Sequence, residues 1–355
     1  MEKLGYRWKK DWRGLYIDGH EQEDVVRYRQ HVFLPLWYEY EGRMRAWTGA
    51  NMDVEDFISA AQAEGRRVIV WFHDESIFYA HDRRRSGWVK VGSSQPPQPK
   101  GEGLSLMVAD FISADYGWLC SRDGTQSARV IFRPGKNRDG YFDHHDITAQ
   151  TQKAMDILRR DYPDEEHLFV FDNATTHLKR ADDAISARRM PKGPASTFGV
   201  EITVRGNNGK PIYGPDGRPS KTKIPMTNGF FSNGQIQQFY YPPDHPTLGS
   251  QFKGMARILE ERGITDASRL RAEFPKFRCT PANPRCCCCR ILFNEPDFAI
   301  GHSLLEIACQ ERGFKILFLP KFHPELNFIE QCWGRAKGWY RTCPPSSNEE
   351  DLKKT

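Results

Sequence analysis

At 355 residues the chain is long for a single core, which suggests two domains or one domain carrying a large insertion. An aromatic content of 12% is too high for a disordered chain, and no run approaches the roughly 20 apolar residues that cross a bilayer. The net charge of +5, from 51 basic and 46 acidic residues, does not by itself point to nucleic acid.

The opening residues, MEKLGYRWKKDWRGLY, lack the apolar segment of a secretory signal, so an intracellular protein is expected. Residues 1–65 read as mostly helical. Val25, Val26, Tyr28, Val32, Phe33 and Leu36 share one helix face, and Asp53 to Ala63 is a second helix candidate ended by Gly65. Val68 to Phe72 is a continuous apolar run of strand length. Ser93 to Gly103 is a Pro- and Gly-rich loop. Leu104 to Ile112, Tyr116 to Cys120 and Ala128 to Phe132 are further strands, the last two close enough to pair antiparallel. Thr148 to Arg160 is a helix by propensity, with Asp146 or Thr148 as its cap, and Tyr162-Pro163 ends it. His167 to Phe171 is another strand.

From residue 178 to 313 the composition shifts to Gly, Pro, Asn and Lys. A structureless loop of that length is unexpected in a compact domain, so this stretch reads as an inserted subdomain with a helix near Lys253 to Arg262. Lys315 to Leu319 is a last strand, Asn327 to Tyr340 a last helix, and residues 344–355 a polar tail.

Nine cysteines without a leader favour free thiols or metal over disulfides. Six lie between Cys279 and Cys309. Cys279, Cys286, Cys289 and Cys309 could complete a structural zinc tetrahedron; the alternative is that they are merely buried.

Two aspartates follow apolar strands: Asp74 ends VIVWFHD and Asp172 ends LFVFD. Adjacent parallel strands place such positions side by side, at the edge where open α/β sheets bind ligands. Glu330 follows the last strand and opens the last helix. Three carboxylates converging there would suit Mg²⁺ (or Mn²⁺), which prefers oxygen ligands. Taken singly, each acid has a plain structural reading. The aspartates could start turns, and Glu330 could complete a capping box with Asn327. His73 and His177 flank the acids, either as packed side chains or as groups near metal-bound water or DNA. Asp143, His144, His145 and Asp146 read as a helix start rather than a metal site.

HDESIFYAHD, FVFDNATTHL and LPKFHPELNFIEQCWGRAK resemble, in order, the three catalytic blocks of the DDE transposases of the Tc1/mariner-like branch. The resemblance covers about residues 66–177 and 314–341. It implies an α/β, RNase H-like mixed sheet flanked by helices, split as 66–177 and 314–343 by the cysteine-containing insertion. It further implies that Asp74, Asp172 and Glu330 hold Mg²⁺ for cleavage and transfer of DNA strands. Water would be the first nucleophile and a DNA 3′-hydroxyl the second. The partner would then be DNA, both transposon ends and target, with a homodimer among the expected assemblies and a nuclear location in a eukaryote. Lys321, Arg335, Lys337 and Arg341, near the catalytic edge, are candidates for phosphate contacts, though basic residues late in a helix also complement its dipole. Trp333 lies among them. Two other readings stay open: a catalytically inactive, transposon-derived DNA-binding protein, and a structure-selective nuclease of the same fold.

Overall fold

In the computed structural model the described residues are 18–355, apart from 52, 57–64, 83–99, 136–137, 207–208, 210, 278–282, 284, 300, 345, 347 and 355. Contacts divide the chain into two units: one of residues 1–178 and 305–355, the other of residues 179–304.

The first unit begins with helices α1 (Glu23–Tyr28) and α2 (Leu34–Glu41), joined by a π-helical turn (Arg29–Phe33). Two short strands follow, β1 (Trp47–Thr48) and β2 (Val54–Glu55), paired antiparallel. The helix expected from Asp53 is therefore replaced at its start by a hairpin, because Val54 and Glu55 find partners across the turn. Its remainder, residues 57–64, lies outside the described residues, as does most of the Pro/Gly loop.

A six-stranded sheet forms the centre. Its strands are β3 (Val68–Tyr79), β4 (Ser105–Ser113), β5 (Gly117–Trp118), β6 (Val130–Phe132), β7 (Glu166–Phe171) and β12 (Lys315–Phe318). The order is β12-β7-β3-β4-β5, with β6 also on β4. β3 and β4 pair antiparallel, whereas β7 runs parallel to both β3 and β12. This mixed sheet, an antiparallel meander followed by two parallel strands, has the RNase H-like arrangement.

Both faces of the sheet are covered, which explains why Val68 to Trp71 is apolar at every position. Val68 and Val70 pack with Phe33, Tyr40, Leu168 and Leu317 on one face. Ile69 and Trp71 pack on the other, against helix α3 (His144–Asp161) through Ile147, Met155 and Leu158. Each such side chain contributes roughly 1.5–3 kcal/mol on burial. The cap of α3 is Asp143: it accepts from the His145 amide at 2.8 Å, while Asp146 accepts from the Asp143 amide at 2.9 Å. This reciprocal box accounts for the local acids.

The second unit has its own core, built on Phe239, Phe252, Ile258, Leu259 and Leu292. It contains the hairpins β8 (Val200–Thr203) with β9 (Lys221–Ile224) and β10 (Gly229–Phe230) with β11 (Ile236–Gln237). Its helices are α4 (Met255–Glu261), α5 (Cys288–Phe293) and α6 (Pro296–Ala299). Helix α7 (Leu304–Glu311) sends Leu305 and Cys309 into the first unit's core, so that core takes up the chain before residue 313.

The last helix of the sheet layer, α8 (Phe328–Tyr340), lies on β3 and β4 through Ile329 and Trp333. A short helix, α9 (Glu349–Lys354), follows it. Among the described residues no helix is long and apolar enough to cross a membrane.

Candidate active site

β3 does not end at Asp74. It continues to Tyr79, because Asp74 to Tyr79 pair with Asp110 to Ser105 of β4. Relative to β7 the expected placement still holds. The last β3–β7 couple is Phe72 with Val170, and Asp74 and Asp172 each lie two residues beyond it. The two aspartates therefore leave the parallel pair at the same level, on strands roughly 4.8 Å apart. Both also follow the side-chain alternation of Val68, Val70, Leu168 and Val170, which puts them on the face carrying α8.

Asp172 is fixed by two bonds to one oxygen. Its Oδ1 accepts from the Ala174 amide at 3.0 Å and pairs with His177 Nδ1 at 2.6 Å. Among the described residues Oδ2 accepts no hydrogen bond. Burial acts to raise the Asp172 carboxyl, but the His177 hydrogen bond and charge outweigh it, and the group is held below its ordinary value. The neighbouring Asn173 donates to the Leu319 carbonyl at 3.3 Å, which ties the end of β7 to the end of β12.

Glu330 is exposed on the first turn of α8. The capping-box alternative for it is not realised. Asn327 makes no side-chain cap; its amide reaches back across the sheet toward the His73 carbonyl, 3.4 Å away. Asn327 is 2% exposed, so this contact sets the start of α8 directly over the strand that carries Asp74. Asp172 and Glu330 line one cleft of about 330 Å³, together with Asn173, Lys321, His323 and Asn327.

Asp74 registers this crowding. Burial first, then the charges of Glu330, Glu75 and Asp172, push its carboxyl up to about 8. Asp74 thus feels the charges of both Asp172 and Glu330, but among the described residues the three acids do not bring their oxygens within 4.8 Å of one another as one ligating group.

Beside them is a group that sequence reasoning only partly anticipated. His73, Glu75 and His177 offer ligand atoms that all lie within 4.8 Å of one another. Glu75 was not singled out, although the two-residue strand period puts it on the same face as His73. His73 is fully buried between Phe111 and Phe171, and desolvation lowers it to about 4. Burial acts to lower His177, but its contacts with Asp172 and Glu75 prevail and raise it to about 9.

The basic candidates differ in setting. Lys321 is exposed and lines the cleft. Arg335 is exposed on α8, and Lys337 sits with Nζ 5.8 Å from the Phe78 ring. Arg341 is held by Asp82, with Nε and Nη2 donating at 2.9–3.1 Å, so it anchors the helix end. Trp333 belongs to the core, 5.1 Å from Trp118.

The four expected zinc ligands are spread over both units. Cys289 is buried in the second unit's core and Cys309 in that of the first. Cys286 is disulfide-bonded, and Cys279 lies outside the described residues. Among the described residues no cysteine joins a metal-ligating cluster. Cys287, Cys288 and Cys289 are fully buried around α5, and the Cys287 sulfur caps that helix by accepting from the Arg290 amide at 3.4 Å.

No family model matches the chain, and no curated protein matches it. Solved structures that resemble it include the Mos1 transposase paired-end complex with left transposon end, at 16% identity and a TM-score of 0.30. The Mos1 mariner paired-end complexes with Mn and with Mg match at 15% and 16% identity, each with a TM-score of 0.29. The matched part is 50% of this chain and 42–43% of theirs. A likeness of that size says nothing of chemistry, and the acidic cluster stands on its own geometry.

Proposed function

We propose that the first unit is a metal-dependent nuclease and strand-transfer domain of the DDE transposase kind, acting on DNA phosphodiesters. The observation that supports this reading is the cleft at the carboxyl ends of the parallel strands, lined by both Asp172 and Glu330, with Asp74 near enough to feel the charge of each. The concentrated negative charge is what a divalent cation would neutralise, and three carboxylates drawn together by it would form a hard, all-oxygen donor set suited to Mg²⁺ or Mn²⁺. Asp74 and Glu330 would contribute carboxylate oxygens, and Asp172 its Oδ2.

When bound, a metal pair supplies activation of the attacking oxygen and stabilisation of the leaving one. The chain's own residues do the positioning. His177 and the Ala174 amide lock Asp172, and Asn327 sets the first turn of α8, from which Glu330 lines the same cleft as Asp172. Lys321 in the cleft and Arg335 on α8 would contact backbone phosphates, which fixes the scissile bond without reading sequence. In hydrolysis, water oxygen bonds to phosphorus and the P–O3′ bond breaks, leaving a 3′-hydroxyl and a 5′-phosphate. In transfer, that hydroxyl attacks a second phosphodiester and releases its 3′-oxygen.

The test is to incubate the full chain with a labelled DNA duplex bearing a free 3′-hydroxyl and a supercoiled plasmid, in Mg²⁺ or Mn²⁺. The proposal expects labelled plasmid. Nicking without label transfer would reassign the domain as a nuclease, and neither product in either metal would overturn the reading.

A further inference from the structure

We infer that His73, Glu75 and His177 form a second metal site, for a divalent transition-metal ion such as Zn²⁺, set into the opposite face of β3 from Asp74. It goes beyond the function proposed above, which concerns three carboxylates and a hard cation.

Two buried nitrogens point to a missing partner. His73 is 0% exposed and His177 2%. Among the described residues His73 Nδ1 has no hydrogen-bond partner, and His177 Nε2 has no acceptor within hydrogen-bond distance, its nearest being Glu75 Oε1 at 3.6 Å. Such orphaned groups are costly in a core, so each calls for an occupant.

The outer nitrogens of the same rings are committed. Gln150 Nε2 donates to the Ala109 carbonyl at 2.9 Å, which fixes its amide and turns Oε1 toward His73 Nε2 at 3.0 Å. His73 Nε2 must then carry the proton, and Nδ1 keeps a bare lone pair. His177 Nδ1 lies 2.6 Å from Asp172 Oδ1 and donates to it, so Nε2, which faces Glu75, is the nitrogen a cation would take in place of a proton. Metal-ligating histidines show this pattern: the far N–H is given to a carboxylate or carbonyl, and the near nitrogen faces the ion.

Glu75 supplies the third donor. Its Oε1 lies 3.6 Å from His177 Nε2, and its side chain is 23% exposed, which leaves a route from solvent. Tetrahedral ligands at about 2.0–2.1 Å from zinc stand roughly 3.3 Å apart, so that pair is already near its bound spacing. Two imidazoles and one carboxylate suit Zn²⁺ or Co²⁺ and are a poor match for Mg²⁺. The rival occupant is a proton, with imidazolium His177 bridging Asp172 and Glu75.

The test loads the chelator-treated full chain with Co²⁺ in excess Mg²⁺, which occupies the carboxylate site. The inference expects one tightly held Co²⁺ with visible d–d bands. Those bands should be lost in Glu75→Gln and His177→Gln and retained in Asp74→Asn. X-ray absorption of the Zn²⁺-loaded wild-type chain should show imidazole scattering. Co²⁺ displaced by Mg²⁺, or an all-oxygen shell around Zn²⁺, would overturn it. Because Asp74→Asn removes a carboxylate of the proposed catalytic set, loss of strand cleavage there with Co²⁺ retained separates this site from that one. The X-ray measurement needs no variant, so a misfolded substitution cannot decide the outcome.

Discussion

Replacing Trp333 tests how α8 holds Glu330. Trp333 is 5% exposed, packed 5.1 Å from Trp118 and 6.3 Å from Phe78, with Ile112 and Ile329 in the same cluster. Glu330 stands three residues earlier, so this packing positions the carboxylate. An indole buries about 150–250 Å², which at about 25 cal/mol per Å² corresponds to roughly 4–6 kcal/mol. Large-to-small substitutions of this kind cost about 3–5 kcal/mol once the cavity partly relaxes. Trp333→Ala should therefore destabilise the first unit by about 3–5 kcal/mol in urea denaturation followed by circular dichroism. Trp333→Phe should behave differently. The buried indole N–H has no partner, and an unsatisfied donor costs about 1–3 kcal/mol. Phenylalanine removes that donor while keeping most of the ring, so its net cost should be within about 1 kcal/mol. Cleavage by the folded fraction should survive in Trp333→Phe and fall in Trp333→Ala. If the two variants were equally damaging, or Trp333→Ala cost less than about 1 kcal/mol, this account of the helix would be refuted.

Two further predictions concern charge. In the second unit Arg262 donates to both oxygens of Asp297, at 2.9 and 2.7 Å, and the two side chains are 7% and 8% exposed. Asp297→Ala leaves the buried guanidinium with only Glu295 and Gln237, at 3.0 and 2.8 Å, and should cost about 1–3 kcal/mol, whereas Arg262→Met with Asp297→Leu should cost less; comparable losses would refute this. Burial acts to raise Asp297, but Arg262 prevails and holds it below the ordinary carboxylate value. Its stabilisation is therefore complete above the unfolded carboxylate value near about 4 and is lost as pH falls through the lower folded value, a loss that acid denaturation of Asp297→Asn should not show. On DNA, Lys321→Ala or Arg335→Ala should weaken binding across unrelated sequences and reduce the slope of log affinity against log salt by about 1 each; an unchanged slope would remove that residue from the interface.

The RNase H-like fold was legible because its buried strands are continuous apolar runs, as at Val68 to Trp71 and Leu168 to Phe171. What ended those strands was less visible. Polar His73 to Ser76 breaks the hydrophobic pattern, yet β3 continues because β4 supplies its partners. Asp53 to Glu55 reads as a helix start until the hairpin partners Trp47 and Thr48 are known. The matching levels of Asp74 and Asp172 followed from the parallel register, although β3 runs on past Asp74 to Tyr79. Glu75 escaped notice because it looked like a neighbour of Asp74, whereas alternation turns it to the opposite face, toward His73 and His177. For the cysteine run, spacing alone cannot show which core a thiol enters. Cys289 and Cys309 belong to different ones.

The most direct measurement is cleavage of plasmid DNA by the full chain with Mg²⁺ or with chelator, for the wild type and for Asp74→Asn, Asp172→Asn and Glu330→Gln. The account predicts metal-dependent nicking by the wild type and background levels for all three variants, each still folded by circular dichroism. Nicking that persisted in Asp74→Asn, or that was unchanged by chelator, would contradict it.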